Sequence, residues 1–208
     1  GEQRHQRMRR AQQGRVACPL RPPHALMTLF TLCGQLGASP DSDGATLFDA
    51  AVGAEAWRRL ATLAAAIGDE ARAQDPIAVL DALGAADSPV AVAPYIYGYV
   101  SYARADFRAA RIAFADLAPL GPGGLAGSAL GGTGLAVSAR SAHVAEARAF
   151  ALWVASGAVQ SGLYADHGGQ PAHDAAWRDR AVNAATGDFY TATRATLERI
   201  AAEFTPCL

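Results

Sequence analysis

The chain has 208 residues, of which 51% are hydrophobic and 18% charged, with a formal net charge of −1. That length suits one large domain or two small ones, and the composition excludes a mostly disordered chain. A near-neutral balance supplies no field to gather nucleic acid or anionic lipid, and no apolar run reaches the length of a membrane span.

All 18 basic residues are Arg. With so much Ala beside them, this reads as coding bias and not as a binding signal. Arg4, Arg7, Arg9, Arg10 and Arg15 cluster at the N-terminus. Without interleaved aromatic residues, a solvated first helix is favoured there over a nucleic-acid contact. The opening GEQRHQRMRR has the charge of a secretory n-region, but no apolar stretch follows, so no signal peptide is expected. Cys18, Cys33 and Cys207 form no CxxC pair and read as buried free thiols.

Arg15–Leu20 predicts a short buried strand closed by Arg21-Pro22-Pro23. His24 then opens a helix with Leu26, Leu29, Phe30, Cys33 and Leu36 on its apolar face. A second helix is predicted over about 54–67, burying Trp57, Leu60, Leu63, Ala64 and Ile67. Asp75-Pro76 is an N-cap followed by proline at the first helical position, and Ile77, Leu80 and Leu83 form that helix's stripe. Val90–Pro94 and Ile112–Leu117 read as strands, and Leu135–Val137 as a third. A helix started by Ser141 is expected to bury Val144, Ala147, Phe150, Ala151 and Val154. From Asp174 onward the chain reads as mostly helical, anchored by Trp177, Phe189, Leu197 and Ile200. Short strands among longer helices predict a helix-rich α/β class.

The segment GSALGGTGLAVSAR (127–140) and the turn GGQP (168–171) carry the most chemistry. Glycine permits close backbone approach, and Thr133 and Gln170 offer neutral hydrogen-bonding groups beside it. Gly131-Gly132-Thr133-Gly134 lacks GK[ST] and precedes a strand, which argues against a phosphate loop. In Tyr95, Tyr97, Tyr99 and Tyr102, sugar stacking and core packing compete evenly at 97 and 99, and packing is favoured at 95 and 102. His24, after a strand end, faces either a cleft or its own helix cap, the second being the commoner outcome. His167 and His173 lie on a Gly/Pro loop with no third ligand, so a zinc site is not expected. His167 and Gln170 read equally as ligand contacts and as a solvated turn. No GxSxG, no Cys–His pair and no distinct carboxylate pair is present, so enzyme chemistry is not expected.

The stretch GSALGGTGLAVSARSAHVAEARAFALWVASGAVQSGLYADHGGQP resembles the extracellular solute-binding proteins, family 1, the carbohydrate-binding subunits of ABC importers. VACPLRPPHALMTLFTLCGQLG, YIYGYVSYAR, DAAWRDRAVN and GDFYTATRATLE extend the resemblance over nearly the whole chain. It implies a periplasmic-binding-protein-like fold in which two lobes close on a sugar by hinge bending. Residues 1–125 would be a second-lobe-like α/β region. Residues 126–208 would hold the hinge-proximal strand, the ligand-side loop and a helical C-terminal region. The ligand contacts implied are Arg21, His24, Tyr97, Gly98, Tyr99, Gly131, Gly132, Thr133, Gly169 and Gln170. No cofactor or metal is implied. The partners would be a neutral solute, the importer's membrane subunits and, through the face lacking its lobe, a second copy; the location would be extracellular or periplasmic. The chain is expected to be incomplete at both ends relative to the family and to hold half a cleft. The alternative is a truncated homologue acting as a non-transport interaction or regulatory protein.

Overall fold

A computed structural model describes residues 15–38 and 44–204. The N-terminal arginines up to Arg10 and Cys207 lie outside them. The fold is mixed α/β and helix-rich, and the described residues include a small two-stranded parallel sheet.

Strand β1 (Arg15–Val16) pairs with β2 (Val90–Val92), Arg15 opposite Val90 and Val16 opposite Val92. The Arg15 N–H donates to the Pro89 carbonyl at 2.8 Å and the Ala17 N–H to the Val92 carbonyl at 3.0 Å. The sequence predicts a strand to Leu20, but pairing ends sooner because β2 has only three residues to offer. Ala17, Cys18 and Leu20 continue inward as buried core.

Helix α1 (His24–Gln35) packs Leu29, Leu32, Cys33 and Leu36 against Leu60 and Ala56 of α2 (Ala50–Ile67). Asp49 caps α2, accepting from the Ala51 and Val52 N–H groups at 2.9 and 3.1 Å, so the helix starts four residues before its predicted onset. Its buried line runs through Val52, Ala56, Leu60, Leu63 and Ile67. Trp57, one residue off that line, is turned outward and exposed, contrary to expectation. Leu26 of α1 is exposed for the same reason.

Helix α3 (Pro76–Leu83) has the predicted cap, with the Asp75 carboxylate accepting from the Ala78 N–H at 2.9 Å. Val79 and Leu80 are buried while Ile77 faces solvent, so the stripe passes through 76, 79, 80 and 83.

Residues 112–117, predicted as a strand, form irregular chain. The Ile112 N–H bonds to the Tyr102 carbonyl of a 3₁₀ turn (Val100–Ala103), which leaves no ladder to join. Two staples hold this stretch. The Gln35 side-chain amide donates to the Ala118 carbonyl at 2.8 Å. Farther on, the Asp116 carboxylate accepts from the backbone N–H and hydroxyl of Thr196 at 2.7 and 2.8 Å.

Leu135–Val137 forms no strand among the described residues, and Leu135 is exposed. Helix α4 (Val144–Ala155) begins three residues after Ser141, whose hydroxyl accepts from the His143 N–H at 3.1 Å. None of its residues is buried, which overturns the predicted core face. Ala147, Ala151 and Val154 are half-covered; Val144 and Phe150 are exposed. The short α5 (Gly157–Val159) runs into a π-helical turn (Gln160–Tyr164).

The C-terminal region is helical as expected but broken into α6 (Asp174–Arg178), α7 (Arg180–Ala185), α8 (Phe189–Ala192) and α9 (Arg194–Phe204). Asp179 starts α7 by accepting from the Ala181 and Val182 N–H groups. Gly187 and Asp188, with φ of 59° and 62°, turn the chain into α8. Phe189 and Tyr190 then join Val100, Ala103, Ala165 and Val182 in a second core, which Phe114 links to a third around Leu80, Tyr102 and Ile112.

Candidate functional site

The loop after β1 brings the first two predicted contacts to the surface. The Arg21 guanidinium lies 2.8 Å from the Asp75 carboxylate at the start of α3. Asp75 is held below the ordinary carboxylate range chiefly by the Ala78 N–H, with Arg21 adding to the effect. Arg21 is thus an exposed ion-pair partner of a helix cap. His24 opens α1, its N–H donating to the Arg21 carbonyl at 2.8 Å.

The His24 ring meets Tyr97 edge-on, with centroids 6.5 Å apart and planes at 77°. Gly131 lies against the same tyrosine: a Cβ placed there would stand 3.2 Å from the ring. His24, Tyr97 and Gly131 therefore form one patch from three separated parts of the chain. Burial pushes the Tyr97 phenol above its ordinary value, and Tyr99 adds to the shift, so the hydroxyl is neutral and can donate at physiological pH. Tyr99 itself is exposed. Tyr95 and Tyr102 pack, as the sequence favours. The Tyr95 hydroxyl donates to the Gln35 side-chain oxygen at 3.3 Å, and that of Tyr102 to Asp81 at 2.7 Å.

Gln170 is bonded to the same segment. Its side-chain oxygen accepts from the Val100 N–H at 2.9 Å and its amide donates to the Gly98 carbonyl at 3.2 Å. The side chain pins 98–100 in place and so supports the Tyr97–Tyr99 backbone. Gly98 is fixed by packing, since a Cβ would reach within 2.9 Å of the Phe189 ring. Gly169 lies on the Tyr164 ring, a neighbour for which the sequence carries no local signal. Gly132 and Thr133 are exposed, and a Cβ on Gly132 would meet nothing.

The glycine-rich stretch thus divides. Gly127, with φ of 85°, crosses α1 at Gly34, and a Cβ on either would strike the other's backbone. Its beginning is a helix-packing device, its middle borders Tyr97, and its end is open.

His167 and His173 are engaged locally: the His167 ring contacts the Leu163 carbonyl at 2.9 Å, and the His173 ring accepts from the Ala175 N–H at 3.1 Å. Among the described residues no three His, Cys, Asp or Glu side chains gather as a metal site requires. No described helix is long and apolar enough to cross a membrane. An open depression of about 490 Å³ lies elsewhere, between Pro122–Leu125 and the α9 residues Ala195, Glu198 and Arg199. It includes none of the tyrosines.

The patch offers a half-buried aromatic ring, an imidazole, the Tyr97 hydroxyl and bare glycine backbone. These groups suit hydrogen bonding and stacking with an uncharged polar molecule. No protein-family model matches the chain, and no curated protein or solved structure matches it.

Proposed function

We propose that this chain is part of a solute-binding protein of the family 1 type, with the His24–Tyr97–Gly131 patch and the exposed Tyr99 as one wall of a carbohydrate site. The observation that carries the reading is the Tyr97 ring, bordered edge-on by His24 and against its side by Gly131. Such a ring can take the apolar face of a sugar while the phenol and imidazole bond to its hydroxyls. The sequence resemblance supplies the rest: a periplasmic-binding-protein-like architecture, an extracellular or periplasmic setting, and delivery to the membrane subunits of an ABC importer. In this reading Arg21 and Gln170 shape the wall through Asp75 and the 98–100 backbone, and Thr133 and Gly132 face the solute.

The test is calorimetric titration with a panel of mono- and oligosaccharides. Contacts from one wall alone should give weak binding, on the order of millimolar. Tyr97→Ala should weaken it by about fivefold to tenfold, the size of one stacking contact. No heat from any sugar on a sample with native circular dichroism overturns binding by this chain.

A second reading, a non-transport interaction or regulatory protein on the same scaffold, is favoured by α4, which lies on the surface with no residue buried.

A further inference from the structure

Helix α4, VAEARAFALWVA, carries only two charged residues, Glu146 and Arg148. A helix apolar on nearly every side is normally covered on every side. Here only the line Ala147, Ala151 and Val154 is half-covered. The opposite crest, Ala145, Ala149, Leu152 and Trp153, follows the i, i+4, i+7, i+8 spacing of a second apolar stripe and is exposed throughout. Leu152 is 63% exposed and Trp153 49%, and Phe150 beside them is 57% exposed. The two rings stand together, with centroids 5.7 Å apart.

We propose that this crest is the interface of a two-fold homodimer in which α4 packs antiparallel on α4 of a second copy, with Ala149 at the crossing. The inference does not depend on sugar binding. Three observations select a second copy as the occupant.

The first is shape. In an antiparallel pair centred on Ala149, the two Ala149 methyls meet, and small Ala145 faces large Leu152 of the second copy on one flank. On the other flank Trp153 faces Glu146, whose stem can lie along the indole while its carboxylate accepts the indole N–H. Small faces large and donor faces acceptor, as a self-complementary surface requires. Two alanines at the crossing also let the helix axes approach to about 8 Å, the close end of the usual range.

The second is area. The exposed parts of Leu152, Trp153 and the crest alanines sum to roughly 300 Å² of apolar surface, taking aromatic side chains at about 200 Å² each. Homodimer interfaces are about 65% apolar, so the whole patch is roughly 450–500 Å² per protomer, the size of a weak pair whose assembly depends on concentration.

The third is charge. The chain carries a net charge of −1, so two copies approach with almost no mutual repulsion.

The experiment is sedimentation velocity on the full chain from about 1 to 200 µM, with Ala149→Glu alongside. The expected result is a concentration-dependent shift that saturates at twice the 21.5 kDa chain mass. Ala149→Glu should remain monomeric over the same range, because it sets two carboxylates against each other at the crossing. Ala149 is exposed and Glu is a good helix former, so circular dichroism of the variant should match the parent. Independently, Ala149→Cys should form an intermolecular disulfide under mild oxidation while Ala155→Cys, off the crossing, does not. A monomer at every concentration overturns the proposal. So does growth past the dimer without saturation, which a closed two-fold forbids, or a dimer that Ala149→Glu leaves intact.

Discussion

Tyr190 allows a sharp test of the second core. Its side chain is 1% exposed, and its hydroxyl has no hydrogen-bond partner among the described residues. Burial pushes the phenol far above its ordinary value, the direction expected of a hydroxyl stripped of water. The ring is well used: it meets Trp177 and Phe189 edge-on, each at a centroid distance of 5.1 Å. Tyr190→Phe keeps both contacts and removes the orphaned oxygen. An unpaired buried hydroxyl costs about 1–3 kcal/mol. The void left by one oxygen returns roughly 0.3 kcal/mol of that, at about 24 cal/mol per Å³. The net gain should be about 1–2 kcal/mol, and for a chain of this size that raises Tm by roughly 3–6 °C. Thermal unfolding followed by circular dichroism, with urea midpoints as a second measure, reads the change directly. Tyr190→Ala, which deletes the ring, should instead lose about 3–5 kcal/mol. A Tyr190→Phe variant that melts below the parent refutes the reasoning, because the hydroxyl would then be making a bond worth keeping.

Gln170→Leu should destabilise by about 1–2 kcal/mol, since it leaves the buried Val100 N–H without an acceptor. Amide exchange at Val100 should accelerate with it, and an unchanged urea midpoint would remove Gln170 as the staple of the tyrosine segment. Stability should also fall in alkali. Burial, opposed by a bond to Thr28, raises the Cys18 thiol from 9.0 to about 11. Burial and the bond to Asp81 raise the Tyr102 phenol from 10.0 to about 12. Both groups hold their protons more tightly folded than unfolded, so their contribution is complete below about pH 9 and is lost as pH rises through 11 and 12. Urea midpoints should decline from pH 9 upward and decline less in Tyr102→Phe; equal slopes in the two proteins would contradict this.

Local chemistry was the most legible part of the fold. Asp75-Pro76 declares a helix start in two residues, and the structure supplies the cap bond the pair requires. The period of α1 and α2 also identifies real helices, with errors of one residue's rotation at Leu26 and Trp57. Helix α4 could not be oriented this way. Apolar residues lie all round it, so Val144–Val154 and Ala145–Trp153 are equally good stripes, and only the fold decides which is covered. The strands at 112–117 and 135–137 were wrong or unpaired because a strand needs a neighbour, and neighbours are not written locally. The site shows the same division. Glycine at 127 and 131 indicates close approach, while the identity of what approaches, Gly34 in one case and Tyr97 in the other, comes from chain segments far away. Gln170 was picked out as a hydrogen-bonding side chain, yet its described bonds go to backbone 70 residues earlier.

The two staples on residues 116–118 bear on the order in which a nascent chain can become whole. Gln35 cannot meet Ala118 until 83 further residues exist, and Asp116 cannot meet Thr196 until another 80 have followed. Each closure sets roughly 4 kcal/mol of loop entropy against bonds worth only about 1–3 kcal/mol apiece, so neither can form ahead of the packing around it. During synthesis, then, the 112–118 stretch sits as an unfinished seam. It closes first onto Gln35, and onto Thr196 only after α9 has emerged.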